Sequence, residues 1–486
     1  MQIEINHRAE LTLDLYHRVA WQGHGVHFGA AARQYMEESR RDFMRLIDND
    51  PNITIYGVTS GYGQQANLRL HGEARRQHAR KPPRSTVAAF GTPAPERVAR
   101  GIVLSRLANF IEGHAAVSPE LAVKIAALLD GGALPKVSVE GQGGAGEILW
   151  AAPLFLAVAE QFPLAEKDAL SLVNGSPAAS ALIADAALAM RRRLDIAEAI
   201  FALSAEAIKA PLEAYAADFE TLWDDPYETA ALRSLRQLLE GGGKERRAYQ
   251  APVSYRILPR ILGQFRRTIA QAEEIATGSL ASVTDNPVFL RPDPKRPDAR
   301  HPYGRVYSNG GYHNARTYPA LDNLAAACAD LCALAERHST KLLDGRYSLL
   351  PDQLKGDGDG YLGILGFVQV GYAEQARRAA QRTFLPGSEG GGFGQNDVAP
   401  LTGLAWRGQE EAGYCLDAAL TMLAVIASQA FHVTDRAAPP ALSGLLQEIR
   451  AIFPPVGAPR DYADQLSALT AHFRASIYDV AEKARD

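Results

Sequence analysis

The 486-residue chain reads as mainly α-helical: a bundle of long helices with a small mixed region toward its N-terminus. Three observations carry this reading. Apolar residues recur with helical periodicity over stretches far longer than a strand. In residues 318–338, Leu321, Leu324, Ala325, Cys328, Leu331, Cys332 and Ala335 fall on one stripe. The long runs are rich in alanine and apolar over a wide arc, so each needs several helical neighbours. That points to a large bundle extended by self-association. Strand-like pieces are short: ITIYGV (53–58), KVSVE (136–140) and NPVFL (286–290).

Taken in order, helical patterns are expected near 31–48 and 97–115. A shorter helix starts at Ser118-Pro119-Glu120 and is stopped by Gly131-Gly132. The run 177–208 has Ser176 as its expected N-cap and Pro177 as its first helical residue. Further helices are expected near 259–277, 318–338, 361–384, 402–431 and 461–484. Two loops interrupt them, RPDPKRPDARHPYG (291–304) and GSEGGGFGQND (387–397), and loops of that length are more often functional than idle. The expected division is 1–210 for a region with the glycine-rich loops and 211–486 for a long-helix region, the two forming one continuous unit.

Composition narrows the function classes. Hydrophobic residues make up 47% and charged residues 22%, an ordinary globular balance. A net charge of −4 offers no electrostatic case for nucleic acid or an acidic membrane. No stretch approaches the ~18 uninterrupted apolar residues of a membrane span. The chain opens MQIEINHRAE, without a signal-like apolar segment. Cys328, Cys332 and Cys415 read as buried core thiols, and a cytoplasmic location is expected. His24 and His27 lack a third nearby ligand, so no metal site is expected. HExxH, GxSxG, Walker and paired CxxC signatures are absent.

Chemistry is therefore sought where glycine and polar residues break helical sequence. These places are IYGVTSGYGQQ (55–65), VEGQGGAGEILW (139–150), LVNGSPAAS (172–180), YQAPVSYRILPR (249–260), TDNP (284–287), SNGGYH (308–313) and FGQNDVAPL (393–401). In this order and at these separations they resemble the aromatic amino acid ammonia-lyases, the family of histidine, phenylalanine and tyrosine ammonia-lyases and related aminomutases. The resemblance runs from about residue 50 to about residue 430. It implies a catalytic acid/base at Tyr56 and a carboxylate-binding guanidinium at Arg256. Asn174, Gln250 and Asn396 are implied as hydrogen-bonding groups that orient the carboxylate or ring. Tyr62, Tyr312 and Phe393 are implied as an aromatic wall, and Val87 lies near a position that selects the substrate ring. The family's homotetramer, with active sites shared between subunits, is implied too.

The glycine turn departs from the family. Relatives carry Ala-Ser-Gly there, which cyclises with loss of two waters to the electrophile 4-methylideneimidazol-5-one. This chain has Gly144-Ala145-Gly146. Ala145 has no hydroxyl to eliminate, so no such cofactor is expected. Glu147 stands where relatives have an aspartate and is expected to cap the helix that follows it. Val253 replaces a family tyrosine, and Asn396 replaces an acidic or amide partner. Concerted change of this kind fits a lyase that does not need the electrophile. A primary ammonium loses its own proton before the β-carbon does, whereas a quaternary ammonium has no N–H and departs as a neutral amine. The expected reaction is β-elimination of an amine from a histidine-like or aromatic amino acid derivative, with ergothioneine giving thiourocanate and trimethylamine as the specific substrate pair. The alternatives are an ordinary ammonia-lyase inactivated at the serine position and a non-catalytic paralogue that binds an amino acid.

Overall fold

Helices account for most of the chain. In the computed structural model, which describes residues 1–141, 144–383 and 396–478, they include Ala30–Asn49, Glu96–Ile111, Pro177–Ala207, Leu258–Leu280, Thr317–Leu343 and Thr402–Val433. Each matches a helical pattern expected from the sequence. The mainly α class is observed, and the short helix Pro119–Ala127 ends before Gly131 and Gly132, both at positive φ. Two long segments, Asp168–Ala207 and Thr402–Val433, each contain an 18-residue stretch that is strongly apolar and 94% buried inside the protein. A count of uninterrupted apolar residues passes them over because each carries a few polar side chains.

The expected strands are largely replaced. Residues 53–58 form turns, because the N–H groups of Val58, Thr59 and Ser60 all converge on the Ile55 carbonyl. Residues 136–140 make a single bridge, Ser138 to Pro93, flanked by bonds from Ala94 to Val137 and from Val139 to Thr92. Pro93 has no N–H to extend that ladder. The strands that do form are Gln2–Ile5, parallel to Gly25–Phe28, and Val288–Leu290, antiparallel to Arg305–Tyr307 with Phe289 opposite Val306.

Two compact units are present. The first comprises Met1–Leu188, Ala272–Ala320 and Arg382–Arg407; the second comprises Ala189–Gln271, Leu321–Gln381 and Gly408–Asp486. Both are discontinuous in sequence, whereas the division expected at residue 210 is sequential. In the first unit, Phe43, Leu46, Ile47, Ile55, Val58, Ala116 and Phe289 form one buried cluster, with Phe43 and Phe289 edge-to-face at 5.4 Å. Each large side chain of this kind contributes about 1.5–3 kcal/mol by leaving water. Ile55 and Val58 bracket Tyr56, so this cluster fixes the loop that carries it. In the second unit, Cys328, Cys332 and Cys415 are free and buried, as the apolar stripe predicts. The Cys332 thiol points at the Cys415 carbonyl, 3.6 Å away.

Candidate active site

The first unit carries Tyr56, Tyr62, Val87, the glycine turn, Asn174, Tyr312 and Asn396; the second carries Gln250, Val253 and Arg256. Phe393 lies outside the described residues.

Tyr56 is half-buried on a loop locked from several sides. The Thr59 hydroxyl accepts from the Ile55 N–H at 2.7 Å and donates to the Ile53 carbonyl at 2.6 Å. Gly57, at φ 69°, packs so closely on Leu170 that a Cβ would sit 2.6 Å from a methyl carbon. The loop then curls back, and the Gly63 N–H donates to the Tyr56 phenolic oxygen at 3.0 Å. A backbone donor aimed at that oxygen is suited to a phenol that develops negative charge. Tyr62 stands next to it. Burial, then the proximity of Tyr56, pushes its phenol above the ordinary range. The Tyr62 ring packs on His78 at 4.9 Å, and the buried Nε2 of His78 has no partner among the described residues. Burial holds this imidazole below its ordinary value, so it is neutral at pH 7. Sequence reasoning passed over His78 because an isolated histidine in an unremarked helix carries no signal of its own.

The glycine turn is held in left-handed backbone. Gly144 has φ 83° and Gly146 φ 72°, values that glycine adopts without steric cost. Glu147 follows at φ 52°, ψ 30°, which costs a non-glycine residue about 1–2 kcal/mol. Glu147 does not cap the helix it precedes. Its Oε2 instead accepts from the Ala179 N–H at 2.9 Å, at the first turn of Pro177–Ala207. That is the role expected of Ser176, whose buried hydroxyl has no partner among the described residues, while its N–H donates to Thr284 Oγ1 at 3.1 Å. A carboxyl oxygen reaching in from the turn satisfies one of the exposed amides of a helix N-terminus. Beside the turn, Gly144, Glu147, Trp150, Pro400 and Thr402 line a cavity of about 10 Å³, room for one water at most.

Asn174 lies against this turn. A Cβ on Gly146 would meet its Oδ1 at 2.7 Å. Asn174 Oδ1 accepts from the Gly175 N–H at 2.9 Å, and its Nδ2 donates to the Asn286 carbonyl at 2.6 Å. Asn286 in turn accepts the Asn309 N–H at 2.7 Å, which ties the 308–313 loop carrying half-buried Tyr312 to the same network. Beneath it, Lys167 Nζ bonds Asp285 Oδ2 at 2.5 Å and Ser171 Oγ at 2.7 Å, all fully buried. The structure thus brings together Asn174, Gly146 and the 284–287 segment. It shows no contact from Val87, which is 51% exposed, or from half-buried Asn396 to that group.

In the second unit, Pro252 opens the single turn Val253–Arg256. Tyr255 is buried beneath it, stacked on His338 at 3.7 Å and held through its carbonyl by the Tyr215 hydroxyl at 2.8 Å. His338 completes the anchor through Nε2 to the Ser254 carbonyl at 3.1 Å and Nδ1 to Ser204 Oγ at 3.0 Å. With this base fixed, Gln250 and Val253 are exposed and Arg256 is half-exposed, its Nε donating to the Ala251 carbonyl at 3.1 Å. The other guanidinium nitrogens of Arg256 make no described contact. A separate cavity of about 780 Å³, lined by Tyr215, Arg233, Arg236 and Lys244 among others, contains none of the expected site residues.

The family's cyclic electrophile does not fit this turn, because the residue that would supply its methylidene is Ala145, which has only a methyl group. Among the described residues, no cluster of metal-ligating side chains occurs.

Comparison with known proteins puts this long-helix fold in a class, the C–N lyases of the ammonia-lyase type. Residues 11–161 and 156–451 match the family described as aromatic amino acid lyase. Histidine ammonia-lyase from Streptomyces avermitilis is 30% identical over 67% of this chain and 68% of its own length. The Streptomyces coelicolor histidine ammonia-lyase is 27% identical over 87% of each chain. Among solved structures, the ergothioneine-degrading ergothionase of Treponema denticola superposes with a TM-score of 0.86 over 99% of this chain and all of its own, at 17% identity. The chain belongs to the aromatic amino acid lyase family.

Proposed function

We propose that this chain is a cofactor-independent C–N lyase that eliminates a tertiary amine from a betaine, with ergothioneine as substrate and thiourocanate and trimethylamine as products. The observation that carries the reading is the turn itself. Its backbone is held in left-handed geometry against Asn174, yet residue 145 offers only a methyl group. The Tyr56 loop of the same unit is retained and supplied with a backbone donor.

In this scheme Tyr56 acts as phenolate and takes the β-proton. The C–H electrons form the Cα–Cβ double bond, and the C–N bond breaks with its pair staying on nitrogen. Trimethylamine leaves uncharged, and the proton on Tyr56 returns to solvent. Arg256 pairs with the substrate carboxylate through its planar fork. Asn174, Gln250 and Asn396 orient the carboxylate and ring. Tyr62, Tyr312 and Phe393 provide faces for the quaternary ammonium. The exposure of Gln250, Val253 and Arg256 favours a homotetramer in which these residues complete a site on a neighbouring subunit, and the all-thiol cysteines favour a cytoplasmic enzyme.

The test is parallel incubation with ergothioneine, hercynine, histidine, phenylalanine and tyrosine. The expected result is trimethylamine and an ultraviolet-absorbing acrylate from a betaine, and no ammonia from any primary amino acid. Ammonia from histidine or phenylalanine would overturn the cofactor-independent reading. Tight binding of one compound with no turnover of any would establish the non-catalytic alternative.

A further inference from the structure

Arg106 is 0% exposed, inside a helix, Glu96–Ile111, that is buried from Val98 onward. Its Nη1 donates to the Asn174 carbonyl, and its guanidinium lies over the Phe155 ring at 5.1 Å. Nε and Nη2 have no partner among the described residues. A buried guanidinium with two idle donors is costly, and such groups persist where they serve a site. Glu147 has the complementary defect. It is 4% exposed, its Oε2 is committed to Ala179, and its Oε1 has no partner among the described residues. A carboxylate this deeply buried, with no ion pair among the described residues, would be poorly solvated if ionised, and the neutral acid avoids that cost. The charged groups around it fit that state. Arg106 is the cation that acts on Glu147, and Arg106 is itself influenced by Asp285, which already pairs with Lys167. With Glu147 neutral, the Arg106 guanidinium beside Asn174 keeps its charge without a paired carboxylate, since Asp285 is held by Lys167.

We propose that Glu147 and Arg106 are positioning residues that together set the placement of Asn174 against the glycine turn, with Glu147 in its neutral acid form when the site is active. Glu147 fixes the turn to the first amides of Pro177–Ala207, and Arg106 fixes the Asn174 backbone from the other side. Ionising Glu147 draws the guanidinium's charge onto itself and cancels the positive field that favours an anionic substrate. Burial supports the assignment, since it pushes the Glu147 carboxyl up to about 8 against the opposing pull of the Ala179 and Ala178 amides and of Arg106. The role of Asn174 rests on the functional reading above; the protonation of Glu147 does not.

The variants are Glu147→Gln, which keeps an acceptor for the Ala179 N–H but cannot ionise, and Arg106→Lys, which keeps the charge but not the fork. Unfolding midpoints are measured from about pH 5 to about pH 9, where a group with a raised folded pKa makes stability fall as pH rises. Rates are measured on the betaine over the same range. Glu147→Gln is expected to match wild type near the acid end, exceed it in stability near the alkaline end, and lose the alkaline decline in kcat/KM that wild type shows. Arg106→Lys is expected to lower kcat/KM by about a hundredfold through misplacement of Asn174. If Arg106→Lys does not fold, Glu147→Gln decides alone. Parallel pH curves for wild type and Glu147→Gln overturn the proposal. Diverging stability curves in a protein that neither binds nor turns over any betaine leave Glu147 protonated as proposed and sink the functional reading instead.

Discussion

Asn174 Oδ1 occupies the space that a side chain on Gly146 would need: a Cβ there would lie 2.7 Å from it. Gly146 also sits at φ 72°. Gly146→Ala therefore meets two penalties, about 1–2 kcal/mol of left-handed strain and the displacement of Asn174. The expected outcome is a lowered unfolding midpoint with betaine turnover reduced at least about tenfold. A variant with wild-type melting and wild-type rate would show that the turn and Asn174 are not held together.

The turn's covalent state is read directly by mass. The intact protein is expected to weigh what its sequence demands, with no loss of two waters, and the folded protein to lack the ultraviolet band of a methylidene-imidazolone. A dehydrated mass localised to residues 144–146 would refute this.

Tyr56 and Arg256 are expected to fail differently. Tyr56→Phe removes a proton transfer that operates only in the transition state, so kcat should collapse with binding largely kept. Arg256→Ala should chiefly weaken binding, by a few kcal/mol, through loss of a charged hydrogen-bonding partner. Titration calorimetry against steady-state kinetics separates the two. Equal loss of affinity in both variants would contradict the roles assigned.

His338 gives the second unit an acid limit. Burial drives this imidazole down to about 3, with the Ser254 carbonyl opposing. It is neutral in the fold and protonates on unfolding, so its contribution is complete above its ordinary value of 6.5 and is lost as pH falls from there toward 3. The full swing is of order a few kcal/mol. Stability should decline across that window. His338→Gln should flatten the decline, and equal slopes in the two proteins would show that another group sets the acid limit.

Sedimentation at micromolar protein is expected to show a tetramer. A stable monomer that still turns over substrate would exclude sites shared between subunits.

The helices were legible because apolar residues at helical spacing over long stretches can be buried together only if the chain is helical. The Tyr56 loop and the glycine turn were legible because several glycine- and polar-rich breaks fall in one order. The strands at 53–58 and 136–140 were misread for a local reason. β-Branched residues in short runs resemble strands, but convergent turn bonds on Ile55 and the missing N–H of Pro93 decide otherwise. Arg106 was missed because its helix also carries Arg97, Arg100, Ser105 and Asn109, so the sequence does not mark it as buried, whereas the fold encloses it from Val98 onward. Glu147 was recognised as a cap, but its helix is the one that begins thirty residues later, and spacing in sequence cannot announce a partner brought in by the fold. Ser176 failed as a cap because Glu147 and Thr284 serve that helix end instead.

Glu147's reach to Ala179 has a consequence for how this turn can change over time. The bend is imposed by Gly144 and Gly146 and moored by Glu147, and the methyl group at 145 supplies none of that mooring hydrogen bond. Reactivity and foldability are therefore inherited separately at this spot. A lineage can exchange alanine and serine at one position while the scaffold stays intact, and an engineer can do the same, using residue 145 as a replaceable fitting in an otherwise finished frame.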